Sequence, residues 1–267
     1  MDVDDTLEAA ESRPRRLSRE RLSRGLFVLP TLFTVGNLFC GYLSIWRSIE
    51  GAFEAAAVFI IVAAVLDALD GRVARWTRST SEFGEEYDSL ADLVSFGVAP
   101  AVLAYSWGLS DFQRVGWMAS FLFVVCGSMR LARFNIQTKV ADKRYFVGLP
   151  IPAAAGTVAA LVLATPERLV DRFWMTGLLA VTILLSYLMI STIRYRSFKE
   201  HLDIKRPKPL WILPLIALAF AVIRLQPALL LLVVALTFAL SGPVAKLWSI
   251  ARRGRASPAS IPSQKST

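Results

Sequence analysis

The sequence predicts an all-α polytopic membrane protein, with about eight transmembrane helices preceded by a short N-terminal interfacial helix. Of its 267 residues 55% are hydrophobic and only 19% are charged, and the mean hydropathy is +0.50. That composition argues against a soluble domain. The apolar residues also fall into discrete segments, most of which approach the roughly 20 residues that a spanning helix needs.

Eight such segments follow one another along the chain. The fifth and seventh are short and contain Pro152 and Pro214, so their ends are the least defined. An even number of spans places both termini on one side of the membrane. The segments are 27–49, 53–75, 88–109, 114–134, 150–165, 173–193, 210–224 and 226–248.

The basic residues divide unequally between the two sides of this topology. Of the 30 Lys and Arg residues, 25 fall on the side of the termini. Cytoplasmic loops carry such an excess, so the termini and the basic loops are predicted to be cytoplasmic. The net charge of +9 then reflects topology and contact with lipid, not nucleic acid binding. The five on the opposite side are Arg47, Arg114, Arg168, Arg172 and Arg224.

The segments outside the spans carry less information. Residues 1–25 are acidic and then Arg-rich, which fits either an interfacial helix on anionic headgroups or a simple topology-setting tail. Residues 26–193 form the predicted membrane core, and 194–209 a basic cytoplasmic loop. Two further helices are predicted in 210–250, and a disordered tail in 251–267.

Cysteine and histidine exclude several kinds of chemistry. Cys40 and Cys126 both lie in apolar segments, where they are expected to act as small buried hydrophobes. His201 is the single histidine and lies in a basic loop, so a mechanism that needs a pair of catalytic histidines is excluded within one chain.

Four aspartates are the main functional signal, because insertion scales assign a cost of roughly 2.5–3.5 kcal/mol to one Asp at the centre of a membrane helix. Asp67 and Asp70 share a face of one predicted helix at 100° per residue, and Asp88 and Asp92 form an i, i+4 pair on the next. The polar link 76–87 makes these helices antiparallel neighbours, so the acidic faces can meet. Carboxylates are ligands for hard divalent cations, which predicts a site for Mg²⁺ or Mn²⁺.

The surrounding residues favour phosphoryl transfer. Two divalent ions about 3.5–4 Å apart can clamp a pyrophosphate. Gly71 and Ala74 leave room for phosphate, and Arg75 offers a forked cation for its oxygens. A carboxylate at the edge can accept a proton from a hydroxyl. A divalent-cation transporter is the alternative from another class, but the predicted spans 4 to 8 contain no internal Asp or Glu.

These residues together resemble the signature of the CDP-alcohol phosphatidyltransferase family at every fixed position. The pattern reads Asp67-x2-Asp70-Gly71-x2-Ala74-Arg75-x8-Gly84-x3-Asp88-x3-Asp92. The likeness covers roughly residues 26–160. Within the family the chain resembles the integral-membrane phosphatidylserine synthases through the stretches 29–41, 88–100, 130–135 and 148–155.

The resemblance implies a six-helix core followed by two additional helices, and a reaction in which an alcohol attacks the β-phosphate of CDP-diacylglycerol and releases CMP. It implies that the four aspartates hold two ions of Mg²⁺ or Mn²⁺, and that Asp92 also takes the proton of the L-serine hydroxyl. It further implies a homodimer among membrane lipids, in a bacterial cytoplasmic membrane, with the active site facing the cytoplasm.

The family also implies a binding surface for CDP-diacylglycerol. Many relatives begin the first helix with Pro-Asn-x-x-Thr, whereas this chain has Thr31 in place of the asparagine, and a hydroxyl offers fewer donors than an amide. The candidate residues are Thr31, Thr34, Asn37, Gly71, Ala74, Arg75, Ser81 and Gly84.

Arg130 and Arg133 lie three residues apart at the cytoplasmic end of the fourth span. They are candidates for binding the serine carboxylate or a lipid phosphate, and the alternative is that they anchor the helix end at the membrane surface. Glycerol 3-phosphate, an inositol phosphate or choline remain alternative acceptors, although a phosphorylated acceptor is expected to need extra cations near the motif.

Overall fold

The structure is a computed structural model that describes residues 13–77, 81–140, 146–192, 194–195 and 237, with side-chain surroundings for 31–73, 81–136, 148–192 and 237. Within these residues the chain is built from six helical elements. They are α1 (Arg13–Ile49), α2 (Phe53–Thr77), α3 (Glu82–Phe112), α4 (Arg114–Val140), α5 (Ile151–Ala164) and α6 (Arg172–Ile190).

The predicted all-α class is confirmed in this part of the chain. Its β-structure is limited to one antiparallel pair of two-residue strands, β1 (Phe146–Val147) and β2 (Arg194–Tyr195). Three helices are long and apolar enough to cross a membrane, namely Glu82–Phe112, Arg114–Ile136 and Arg172–Ile190.

The other predicted spans have different outcomes. The first two coincide with α1 and α2, while the fifth is α5, whose 14 residues are fewer than the roughly 20 a perpendicular span needs. The seventh and eighth, apart from residue 237, lie outside the described residues, as do most of the basic loop 194–209 and the C-terminal tail. The total of eight therefore stays a prediction.

Two boundaries differ from the sequence-based expectation. The link between the acidic helices is much shorter than 76–87, because α2 continues to Thr77 and α3 begins at Glu82. The early start has a local cause: the Ser81 hydroxyl caps α3 by accepting a hydrogen bond from the Gly84 N–H at 3.0 Å. In addition, α1 runs without a break through the predicted interfacial helix into the first span, as Arg, Leu and Glu favour helix there.

The third helix changes its winding directly after Asp92. Its α-helical part Glu82–Asp92 passes into a π-helical segment, Leu93–Val98, and only then back into α-helix at Ala99–Ala104. Proline lacks an N–H, and its ring clashes with the carbonyl four residues earlier in a regular α-helix. The wider π-helical turn before Pro100 relieves this clash, so the helix continues past the proline.

Small residues allow the helices around the acidic motif to approach closely. α1 packs along α2, and α3 crosses α1 with Ser95 directly opposite Gly41. A Cβ atom added at Gly41 would lie 2.4 Å from Ser95 Oγ and 2.8 Å from Ser95 Cα. Buried alanines such as Ala56 and Ala63 of α2 contribute to the same tight packing.

We expect Gly41→Ala to destabilise the protein by about 1–3 kcal/mol, because the backbone of Ser95 cannot rotate away from the new methyl group. Thermal unfolding in detergent measures this as a lower Tm. Gly156→Ala and Gly177→Ala are matched controls, since an added Cβ at either position meets no atom within 4 Å. An equal Tm for Gly41→Ala and these controls would contradict the close helix crossing.

Candidate active site

Three carboxylates meet between α2 and α3. One oxygen each of Asp67, Asp88 and Asp92 lies within 4.8 Å of the other two. The i, i+4 spacing places Asp88 and Asp92 on one face of α3, and the antiparallel packing brings Asp67 opposite them. The predicted meeting of the two acidic faces is therefore present for these three residues.

The cluster has the chemistry of a divalent cation site. The Oδ1 atom of Asp88 is buried and has no hydrogen-bond partner among the described residues. A buried acceptor is normally paired, and three carboxylates this close repel one another unless positive charge lies between them. Oxygen ligands of this kind suit Mg²⁺ or Mn²⁺, so the residues present are compatible with a divalent metal.

Asp70 has a different environment from the other three aspartates. It is buried, and its Oδ2 atom accepts a hydrogen bond from the Thr34 hydroxyl of α1. It does not belong to the group of three meeting carboxylates. The expectation that all four aspartates converge is thus met by three, and the fourth is held by a hydroxyl on the neighbouring helix.

Asn37 of α1 forms a hydrogen bond with Asp92. Its side chain is fully buried, and its Nδ2 atom donates a hydrogen bond of 3.0 Å to Asp92 Oδ1. Thr34 and Asn37 are three residues apart on α1, so the same helix face supplies a donor to Asp70 and to Asp92. Both were predicted to bind CDP-diacylglycerol, and the structure shows both in contact with aspartates of the motif.

An open cleft of about 450 Å³ lies over the carboxylates. Arg130 lines the cleft, with its guanidinium 5.3 Å from the ring centre of Phe134 and its charge acting on Asp92. Arg133 is not among the lining residues, and its Nη1 atom donates to the Ile190 carbonyl at 3.4 Å. The cleft is lined by Asp67, Glu85, Asp88, Ser89, Asp92, Arg130, Leu131, Phe134, Asn135, Pro150 and Pro152.

Arg130 and Arg133 thus have different surroundings, although the sequence predicted both as ligands of serine or phosphate. Three residues turn a helix by about 300°, which leaves two side chains about 60° apart, enough to separate the cleft from a neighbouring helix end. Arg133 contacts the C-terminal end of α6, where free carbonyl groups favour a cation.

The remaining predicted residues lie near the end of α2 and the start of α3. Gly71 is half-buried, and Ser81, which caps α3, is exposed. Thr31 is exposed on α1. Ala74 and Arg75 belong to the last turns of α2, but their side chains lie outside the described part of the chain, so their roles remain predictions.

The sequence did not single out one wall of the cleft. Asn135 of α4 donates through Nδ2 to the Ser89 hydroxyl at 2.9 Å, and that hydroxyl donates to the Glu85 carbonyl at 3.1 Å. This pair joins α4 to α3 beside Asp88. Asn135 is the last residue of the stretch 130–135, which resembles the phosphatidylserine synthases, and this resemblance is the one sequence feature that could have pointed to it. Its contact with Ser89 depends on how α3 and α4 pack, so the sequence alone could not predict it.

Comparison with known proteins identifies the family of this chain. The profile of the CDP-alcohol phosphatidyltransferase family matches residues 27–188, which include the whole acidic motif. A CDP-diacylglycerol–serine O-phosphatidyltransferase of Helicobacter pylori is 42% identical over 205 residues, covering 76% of this chain and 85% of the relative. The enzyme of that name from Bacillus subtilis is 38% identical over 174 residues, covering 65% and 92%.

An archaetidylserine synthase of Methanothermobacter thermautotrophicus is 41% identical over 175 residues, covering 62% of this chain and 69% of the relative. The profile match spans more than half of the sequence. The apolar helices and these matches identify an integral membrane protein. The chain belongs to the CDP-alcohol phosphatidyltransferase family.

Proposed function

We propose that this chain is an enzyme that transfers the phosphatidyl group of CDP-diacylglycerol to L-serine, giving phosphatidylserine and CMP. The serine hydroxyl oxygen bonds to the β-phosphorus and the bond from that phosphorus to the bridging oxygen breaks. CMP leaves with the electron pair of that bond. The hydroxyl proton passes to a base of the protein, for which Asp92 is the candidate.

The observation that carries this proposal is a cleft lined both by carboxylates of α2 and α3 and by the guanidinium of Arg130 on α4. Asp92 can take a hydroxyl proton while Arg130 binds the carboxylate of the same amino acid. The names of the relatives point the same way. The relatives from Helicobacter and Bacillus are named as enzymes of phosphatidyl transfer to serine, and the archaeal relative is named as an archaetidylserine synthase. The lipid part of the names differs, but all three names contain serine.

The charge of the cleft favours serine over phosphorylated acceptors. The described side chains that line it include four carboxylates and one guanidinium. Glycerol 3-phosphate or an inositol phosphate is expected to need several cations for its phosphate, whereas serine needs one for its carboxylate, and Arg130 can supply it. Choline lacks a carboxylate for Arg130 to bind.

The aspartates of the motif are the proposed metal ligands, with Asp67, Asp88 and Asp92 at the centre and Asp70 beside them. Two ions of Mg²⁺ or Mn²⁺, when bound, supply Lewis-acid stabilisation of the diphosphate charge. The last turns of α2 carry Gly71, Ala74 and Arg75, and these residues, with Ser81, Gly84 and Thr31, are proposed to face the CDP-diphosphate end of the lipid.

The finer architecture belongs to the same proposal. The membrane core comprises residues 26–193, with the basic loop 194–209, two further helices in 210–250 and terminal segments 1–25 and 251–267. Eight spans, both termini in the cytoplasm of a bacterial inner membrane and a homodimeric assembly complete it. The excess of basic residues on one side supports the orientation.

Release of CMP by the purified protein tests the proposed reaction. The assay contains detergent, CDP-diacylglycerol and Mn²⁺, to which serine and then each other alcohol is added singly. We expect release that depends on serine. Release with a different alcohol would keep the chemistry but change the acceptor, and no release with any acceptor from folded protein would refute the proposed reaction.

Arg130→Gln is expected to raise the KM for serine about 10- to 100-fold, because a charged hydrogen-bond partner of the carboxylate is lost. The KM for CDP-diacylglycerol should change little. Arg133→Gln removes the same charge one turn away, where the side chain contacts the Ile190 carbonyl, and should change the serine KM less than about threefold. Equal effects of the two substitutions would contradict the assignment of Arg130 to the acceptor.

A further inference from the structure

Asn37 lies where α1 crosses α3, next to Asp92, and it is not among the residues that line the cleft. Its side chain is fully buried, and its amide donates to Asp92 Oδ1 at 3.0 Å. A buried amide in this position is poorly placed to contact a nucleotide that enters the cleft. Its contact within the site is Asp92.

A second contact fixes the position of the amide. The Ser95 hydroxyl of α3 donates a hydrogen bond of 2.9 Å to the backbone carbonyl of Asn37. Ser95 follows Asp92 by three residues, in the π-helical segment. Asn37 therefore contacts α3 twice, with its side chain at Asp92 and with its backbone carbonyl at Ser95. These two hydrogen bonds restrict the movement of Asp92 relative to α1.

The orientation of the amide follows from chemistry. An ionised carboxylate only accepts hydrogen bonds, so Asn37 must present its NH₂ group to Asp92. This hydrogen bond occupies Oδ1, which leaves the second carboxylate oxygen of Asp92 for the cleft that this side chain lines. The geometry restricts rotation of the carboxylate about its terminal torsion, which is otherwise broad.

We infer that Asn37 is a positioning residue that holds Asp92 in the orientation needed to take the proton of the serine hydroxyl. The inference rests on the proposed function, in which Asp92 is the base. It differs from the family-based expectation that Asn37 binds CDP-diacylglycerol, because it assigns the effect of Asn37 to turnover and not to substrate affinity.

Steady-state kinetics of Asn37→Leu test the inference. Leucine has a similar size but cannot donate a hydrogen bond, so kcat should fall about 100-fold, as for a misplaced catalytic group. The KM for CDP-diacylglycerol should stay within threefold of the wild-type value. If the variant kept the wild-type kcat but had a raised KM for CDP-diacylglycerol, Asn37 would have the nucleotide-binding role that the family implies. If neither value changed, the inference would also be wrong.

Ser44→Ala is the matched control on the same helix. The Ser44 hydroxyl is fully buried and donates to the Ala56 carbonyl at 2.8 Å, away from the cleft. Its loss should leave kcat within about twofold of wild type. A fall in kcat as large as that of Asn37→Leu would attribute the effect to general packing of α1.

Two further variants cover the case in which Asn37→Leu does not fold. Asn37→Ala also removes the donor, without adding bulk at this buried position, and its kcat should fall about as far as that of Asn37→Leu. Ser95→Ala leaves the amide intact and removes the hydroxyl that binds the Asn37 backbone, so its kcat should fall several-fold. If both variants fold and keep the wild-type kcat, the inference is wrong.

The wild-type protein separates this inference from the proposed function. Wild-type protein without serine-dependent CMP release would refute the proposed reaction itself. Active wild-type protein together with a fully active Asn37→Leu variant would refute only the positioning role.

Discussion

Asp92→Asn is expected to lower kcat at least about 1,000-fold when CDP-diacylglycerol and Mn²⁺ are both saturating. An amide of the same shape cannot accept the proton of the attacking hydroxyl, and general-base catalysis contributes about 10²- to 10⁴-fold to a rate. The same change removes one of the three meeting carboxylates. It also replaces the acceptor of the Asn37 amide with a second amide, which weakens the alignment of the side chain.

The measurement is serine-dependent CMP release by the purified variant at saturating lipid and saturating Mn²⁺. Asp111→Asn is a suitable control, since Asp111 forms an exposed ion pair with Arg168 at 2.8 Å and does not line the cleft. Its turnover should match that of wild type. Residual turnover of Asp92→Asn above one tenth of wild type would remove Asp92 from the role of base.

The meeting of the acidic faces could be predicted because it depends on regularities within the chain. The i, i+4 spacing fixes Asp88 and Asp92 on one face, and a short polar link makes the next helix an antiparallel neighbour. That the two faces turn toward each other was expected because carboxylates in a membrane are costly and a shared cation lowers that cost. The same reasoning predicted the all-α class and the three helices that meet the criteria for membrane spans.

The partners of these residues could not be predicted in this way. Thr34 donates to Asp70 and Asn37 to Asp92 because α1 presents one particular face to α2 and α3, and the close contact of Gly41 with Ser95 determines that face. Periodicity identifies which residues share a face but not which neighbour the face meets.

Arg130 and Arg133 illustrate the same limit. The sequence treated them as one feature because both lie at the cytoplasmic end of the fourth predicted span. A rotation of about 60° between them is enough to direct one into the cleft and the other to the end of α6.

The early start of α3 could not be predicted for a similar reason. It depends on the cap formed by the Ser81 side chain, whereas the composition of this segment indicates only a polar link.

Asp67→Asn is expected to remove most of the stabilisation that a divalent metal gives to the protein. Without metal, the three meeting carboxylates repel one another, so removing one charge is expected to raise Tm slightly. With Mn²⁺, the wild-type Tm should rise because the ion binds the folded state, and the variant should lose most of that rise. The affinity for Mn²⁺ should fall at least about 10-fold, since weakening even an outer partner of a ligand costs that much.

Titration of the purified protein with Mn²⁺ in a calorimeter and thermal unfolding with and without the ion measure both effects independently of turnover. Asp70→Asn gives the informative comparison, because Asp70 is bound by the Thr34 hydroxyl and lies outside the group of three. It should weaken Mn²⁺ binding less than Asp67→Asn does. Glu54→Gln, at the other end of the same helix, controls for the loss of one negative charge and should bind Mn²⁺ as wild type does. If Asp70→Asn weakens Mn²⁺ binding more than Asp67→Asn, the metal site is centred on Asp70 and not on the three meeting carboxylates.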